Sequence, residues 1–209
     1  AHRGVLFLDE FPEFERRVLE ALRQPLEDGE VTVSRAKGTI TFPARTLMVF
    51  AMNPCPCGNF GSDKKPCLCS TQTLYRYQRK VSGPIADRID IWLEVPHFEQ
   101  EKMSEKSRKE SSGLRKTVEY ARNIQNERGI LNSQMRPKDL EVFAPLSAEA
   151  QNILHDAAKK LDLSARAYHR IIKLARTIAD FENVKDIKKE HLLEALQYRP
   201  RKNFFVYET

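Results

Sequence analysis

The sequence predicts an α/β + α protein: part of a parallel sheet with its helices and a β-hairpin, followed by an all-α bundle. Three observations carry that expectation. Two apolar runs, Val5-Leu6-Phe7-Leu8 and Leu47-Met48-Val49-Phe50-Ala51-Met52, have the unbroken hydrophobicity of strands buried in a parallel sheet. Between them lie a helical pattern and an alternating hairpin pattern. Beyond Leu114 the apolar residues recur at helical spacing.

The elements follow in order. After the first run, Phe11-Pro12-Glu13-Phe14 opens a helix whose Val18, Leu19, Leu22 and Leu26 share a face. Pro25 and the Glu27-Asp28-Gly29 turn are expected to end it. Glu30-Val31-Thr32-Val33 and Thr39-Ile40-Thr41-Phe42 alternate around Ser34-Arg35-Ala36-Lys37-Gly38, a β-hairpin with a basic tip. The second apolar run ends at Asn53-Pro54, and residues 54–70 form a cysteine-bearing loop. Residues 71–80 are expected as a short basic helix and residues 89–95 as a third strand. From His97 to Gly113, Glu, Lys and Ser replace apolar residues, which marks a solvated linker. Helices are then expected over 114–128, 137–143, 147–160, 164–181 and 187–198. Ser147 and Ser164 are the N-caps of the third and fourth, with Glu149 in the first turn after Ser147. The predicted organisation is therefore a sheet portion at 1–96, a linker at 97–113, a helical domain at 114–199 and a tail at 200–209.

Composition sets bounds. Apolar residues make up 41% and charged residues 31% of the 209, the balance of a soluble globular chain with a real core. No apolar run approaches the roughly 18 to 20 residues of a membrane span, so no membrane partner is expected and the cytoplasm is the expected compartment. The formal charge of +6 permits contact with nucleic acid without demanding it. All four cysteines fall between positions 55 and 69, which points to metal in a reducing compartment rather than to a disulfide framework.

Several residues are candidates for chemistry. Asp9 and Glu10 close the first apolar run, at the sheet edge where open α/β folds place ligands. In P-loop NTPases this is the Walker B arrangement, whose Asp helps hold Mg²⁺ on the phosphates. Asn53 ends the second run and would stand beside them, able to hydrogen-bond a γ-phosphate or water; the plainer account is a turn residue before Pro54. Arg88 follows the Gly83-Pro84 turn, a rigid mount for a phosphate-gripping finger, or else an ordinary salt-bridge partner. Arg166 sits just inside a helix start, where a cation is mildly disfavoured by the dipole, which hints at use; a solvated face with Arg170, Lys173 and Arg176 is the alternative. Cys55, Cys57, Cys67 and Cys69 form two C-x-C arms suited to a structural Zn²⁺ or else remain reduced thiols. Arg35 and Lys37 at the hairpin tip suit a nucleic-acid backbone, or are a solvated turn. Tyr75, Arg76, Tyr77, Arg79 and Lys80 make a basic, aromatic stretch whose rings would stack on bases, or are a solvated face. No G-x-x-x-x-G-K-[ST] loop occurs in the 209 residues, so the chain is expected to be a piece of a longer ATPase and inactive alone.

Taken together, these residues resemble the magnesium-chelatase-like AAA+ ATPases, most closely their ComM/YifB competence branch. The likeness rests on GVLFLDE-F-E at 4–13, LRQPLEDGEVTVSRAKGTITFPA at 22–44 and AMNPCPCG at 51–58. SGPIADRIDI at 82–91 and LSARAYHRIIKLARTIAD at 163–180 complete it. The resemblance implies a homo-oligomeric ring, a hexamer, that uses ATP and Mg²⁺ and works on DNA by branch migration in natural transformation. It implies Asp9 and Glu10 as Walker B, Asn53 as sensor 1, Arg88 as the arginine finger and Arg166 as sensor 2, with Asp9, Asn53 and Arg166 as the residues that bind ATP and its Mg²⁺. The hairpin would face the ring pore. Two other functions compete: the ATPase subunit of a true Mg²⁺ chelatase, and a non-catalytic zinc-stabilised module that binds DNA or a partner.

Overall fold

The computed structural model describes residues 1–62, 64–95 and 110–200. It divides into two compact units, Ala1–Ile89 and Asp90–Arg199. Of the expected linker, residues 97–109 lie outside the described residues, as does the tail beyond residue 200.

The first unit carries four strands: β1 (Val5–Leu8), β2 (Glu30–Arg35), β3 (Gly38–Pro43) and β4 (Leu47–Phe50). β1 and β4 pair in parallel, with Val5 opposite Leu47 and Leu8 opposite Phe50. The crossover between them begins with a 3₁₀ turn at Phe11–Glu13, then α1 (Arg16–Ala21) and α2 (Arg23–Asp28). Pro25 does not end that helix. It lies in the first turn of α2, where its missing N–H costs no bond. Gly29 ends it at φ 68°, donating its N–H to the Pro25 carbonyl.

β2 and β3 form the expected hairpin, closed by Arg35 opposite Gly38 so that the turn is only Ala36-Lys37. On one face, Thr32 and Thr41 hydroxyls lie 3.2 Å apart and those of Ser34 and Thr39 lie 3.1 Å apart. Gln24 ties this face to α2 by bonding the Thr32 amide and hydroxyl. The opposite face carries Val31, Val33, Ile40 and Phe42, all exposed.

Two expectations are corrected here. The β1–β4 sheet is covered on one face only. Val5, Phe7, Leu47 and Val49 are exposed, whereas Phe50 packs on Phe11 with ring centroids 4.4 Å apart. Residues 89–95 form no strand: Ile91, Leu93 and Val95 are exposed, and the Trp92 amide donates to the Tyr198 carbonyl rather than to a neighbouring strand. Alternating hydrophobicity makes a strand only where a partner backbone offers the ladder.

α3 (Thr71–Gln78) follows the cysteine loop, its N-terminus capped by the Ser70 hydroxyl. A four-residue α4 (Gly83–Ala86) then starts with Gly83-Pro84.

The second unit is helical: α5 (Glu110–Glu127), a 3₁₀ turn at Asn132–Gln134, α6 (Pro137–Phe143), α7 (Ala148–Leu161), α8 (Ala165–Phe181) and α9 (Lys189–Gln197). α5 starts at residue 110, within the segment expected as linker. Ser147 and Ser164 cap as expected, accepting the amides of Ala150 and Ala167. Met135, Leu140, Leu154, Ile171, Ile187 and Leu192 anchor a core drawn entirely from this unit. Beside it lies a buried polar cluster in which Asp180 accepts from Arg128, Asn132 and Arg176. Arg176 also donates to the carbonyls of Val184 and Lys185. The basic residues of α8 are thus not one solvated face, since Arg176 is 2% exposed. No helix among the described residues is long and apolar enough to cross a membrane.

Candidate functional site

The parallel register fixes what meets at the sheet edge. With Leu8 opposite Phe50, the two strands leave the sheet together. The Ala51 amide donates to the Leu8 carbonyl at 3.0 Å, and the Phe11 amide donates to the Ala51 carbonyl at 2.9 Å. Asp9-Glu10 and Asn53 therefore stand at the same carboxyl-terminal edge, following adjacent strands, and all three are exposed. Glu10 adopts φ 49° and ψ 42°, and its amide donates to the Asp9 carboxylate at 2.8 Å. A left-handed conformation costs a residue with a Cβ about 1 to 2 kcal/mol. Such strain persists only where the surroundings over-determine it, and it concentrates at functional sites. Two carboxylates and an amide on a sheet edge have the donors and charge to hold a divalent cation and orient a water.

Tyr77 of α3 lies beneath this edge and is 6% exposed. Burial raises its phenol above the ordinary value. The negative charges of Glu13, Cys55 and Glu10 add to the rise, and a hydrogen bond from the Asn53 backbone amide opposes it. Lys80 donates to Glu13 at 2.8 Å and lies 5.7 Å over the Tyr77 ring. Tyr77 is thus not the base-stacking surface that its neighbours suggested. The signal was in the sequence: Leu74, Tyr77, Gln78 and Val81 recur at helical spacing, and all four are buried. Tyr75 is half-buried, with the Arg79 guanidinium 4.8 Å from its ring centre.

The cysteine loop brings its four sulfurs together. Cys55 and Cys57 are 3.4 Å apart, Cys55 and Cys67 3.8 Å, Cys57 and Cys67 3.6 Å. All four lie within 4.8 Å of one another. A tetrahedral zinc with Zn–S arms of about 2.3 Å sets its corners about 3.8 Å apart, so the donors fit. The Phe60 amide donates to Cys55 at 3.3 Å. Amides of Asn59 and Leu68 bond Cys57 and bring its thiol down to about 6. For Cys67 the Cys69 amide pulls the same way, but desolvation and the three neighbouring sulfurs together push it up to about 12. Crowded thiols resist joint ionisation in this way, and a dication reverses the effect. Backbone amides aimed at sulfur stabilise the thiolate form that a metal needs.

Arg88 is 7% exposed. Its Nε lies 2.8 Å from the Glu27 carboxylate, and it donates to the Pro84 carbonyl at 2.7 Å. The rigid mount is present, and the guanidinium is packed within its own unit; Glu27, a partner that the sequence did not single out, lies on α2. Arg166 stands exposed in the first turn of α8, in the second unit. Arg170 pairs with Asp90, and Lys173 donates to the Ser133 carbonyl at 3.2 Å. Arg35 and Lys37 are exposed at the hairpin tip, as the alternation predicted.

Residues 1–103 match the family model described as magnesium chelatase, subunit ChlI, and residues 108–199 match the model of that subunit's C-terminal part. The chain is 47% identical over 203 residues to the protein named competence protein ComM in Haemophilus influenzae, covering 95% of this chain and 39% of that one. It is 42% identical over 202 residues to the uncharacterized protein YifB of Escherichia coli, covering 95% and 40%. An uncharacterized protein of Mycobacterium tuberculosis is 35% identical over 210 residues, again covering 95% and 40%. The chain spans about two fifths of the length of these relatives.

Proposed function

This chain belongs to the magnesium chelatase ChlI family, and from that premise we propose that it is part of an AAA+ motor that remodels branched DNA using ATP and Mg²⁺. The observation that carries the proposal is the meeting of Asp9, Glu10 and Asn53 at one edge of a parallel pair. In it Asp9 supports Mg²⁺, Glu10 aligns the attacking water and Asn53 senses the γ-phosphate. Arg88 is the finger, released from Glu27 when a ring assembles, and Arg166 is the sensor of the helical lid. Residues 1–96 supply the core portion and the helical residues from α5 to residue 199 the lid. The cysteines hold a structural Zn²⁺, for which the sulfur spacing is the support. The hexameric ring, the cytoplasmic location and DNA branch migration are what the sequence resemblance implies, and the likeness to the protein named competence protein ComM is consistent with them. Since the 209 residues contain no phosphate loop, turnover belongs to the whole protein and not to this chain alone.

The test is ATP hydrolysis by the whole protein with and without branched DNA. Stimulation is expected, and Glu10→Gln should keep nucleotide binding while turnover stops, because the amide preserves shape but cannot assist the water. Lack of stimulation by any DNA would end the DNA-motor account, and near-normal turnover by the Glu10 variant would end the Walker B assignment. One observation favours a second reading, the chelatase subunit for which the matching family models are described. Activity that requires a tetrapyrrole-binding partner would select it.

A further inference from the structure

Asn53, a polar residue assigned to the nucleotide edge, is only two positions from Cys55, a fully buried sulfur of the cysteine cluster. The intervening chain is stiff. In Asn53-Pro54-Cys55-Pro56-Cys57, each proline fixes its own φ and restricts the residue before it. Four consecutive residues thereby lose most of their backbone freedom. A displacement of Cys55 is consequently passed to Asn53 with little room for absorption. The second constraint comes from α3, which begins directly after Cys69 with the Ser70 cap. Its Tyr77 is buried beside the sheet edge, close enough to the Asn53 backbone, Cys55 and Glu10 for all three to bear on its phenol. Both ends of the cysteine loop therefore converge on the same asparagine.

We infer that the four-cysteine site anchors Asn53: the metal-bound loop and the Tyr77 phenol together hold that residue against the Asp9-Glu10 carboxylates. Cys55 and Tyr77 are positioning residues, acting through Asn53 rather than on any ligand. The inference rests on Asn53 facing nucleotide, yet its structural half stands apart from that assignment. A zinc bound only to stiffen a surface loop would leave the sheet edge unchanged when removed. An anchor would not.

The experiment uses the whole protein, its zinc measured directly before and after treatment with a strong zinc chelator. Hydrogen exchange is followed at the amides of Phe11, Ala51 and Asn53, alongside nucleotide affinity and kcat. Loss of zinc is expected to speed exchange at all three amides by about tenfold or more, because their bonds then open locally. Misplacing Asn53 should lower kcat by about tenfold to a hundredfold while nucleotide affinity holds. Tyr77→Phe keeps the packed ring and the cysteines, and should retain full zinc while its Asn53 amide exchanges faster and kcat falls. The inference is overturned if the purified protein holds no metal, or if zinc leaves with those amides unchanged. It is equally overturned if Tyr77→Phe matches the parent in both Asn53 exchange and kcat. Should chelation unfold the whole first unit, the Tyr77 variant alone decides. Should the protein show no ATP turnover under any condition, the nucleotide assignment fails while the exchange data still decide the anchoring.

Discussion

The guanidinium of Arg88 is ion-paired with Glu27 and donates to the Pro84 carbonyl, so reaching a neighbouring subunit's phosphate requires the ion pair to open. An arginine finger contributes about 10³ to 10⁵ in rate, and Arg88→Ala in the whole protein should lose turnover on that order. Mixing that variant with one altered at Asp9 should restore part of the activity, because each mixed interface can pair an intact finger with an intact carboxylate edge. Unrescued mixtures, in rings shown to contain both variants, would place the finger's action within its own subunit. Asp180 makes the contrasting case, a carboxylate whose work is structural. It is 1% exposed and neutralises Arg128 and Arg176, and Arg176 has its pKa lowered chiefly by burial. Asp180→Asn leaves the buried Arg176 and the partly buried Arg128 without their counter-charge, which costs about 3 to 5 kcal/mol. Denaturant titration should show that loss with little change in the slope.

At the scale of elements, the helices were the most legible part of the sequence because their ends carry their own chemistry. Ser147 and Ser164 announce α7 and α8, and the structure shows each hydroxyl accepting the expected amide. Replacing Ser164 with Ala should cost about 1 kcal/mol, read as a lower midpoint for the helical unit. The hairpin was legible from alternation, and the carboxylates and asparagine from their place after apolar runs. What could not be read depended on distant neighbours. Residues 89–95 have a strand's pattern but no adjoining strand, and Arg88 has a finger's mount but a partner 61 positions away on α2. Tyr77 was misplaced for the opposite reason, since its charged neighbours mask the helical stripe that buries it. The hairpin makes its own prediction. If Arg35 and Lys37 neutralise phosphates, removing both should lower the slope of log affinity for duplex DNA against log salt by about 1.8, or about 0.9 for each phosphate left to its counterions. An unchanged slope would show that the tip does not touch the backbone.

For the molecule as a whole, the two units draw on different sources of stability. The helical unit has a contiguous core of its own, from Met135 to Ala195. The first unit has a two-stranded parallel sheet open on one face, with Val5, Phe7, Leu47 and Val49 exposed, and a hairpin whose apolar face is also exposed. A unit with so thin a core has room for another source of cohesion, and the proposed metal, closing the loop between Cys55 and Cys69, would supply it. Binding at about a thousandfold above the dissociation constant adds roughly 4 kcal/mol to a folded state that alone presents the site. In a domain of this size each kcal/mol is worth about 4 to 8 °C of midpoint. Calorimetry of this chain with and without chelator should therefore move the first unit's transition down by about 15 °C or more and leave the helical unit's in place. Acid should act in the same direction as chelator, because protons compete with metal for the thiolates. A first transition indifferent to chelator would mean that the sheet unit coheres by packing alone, and the cysteines would then lose their structural role.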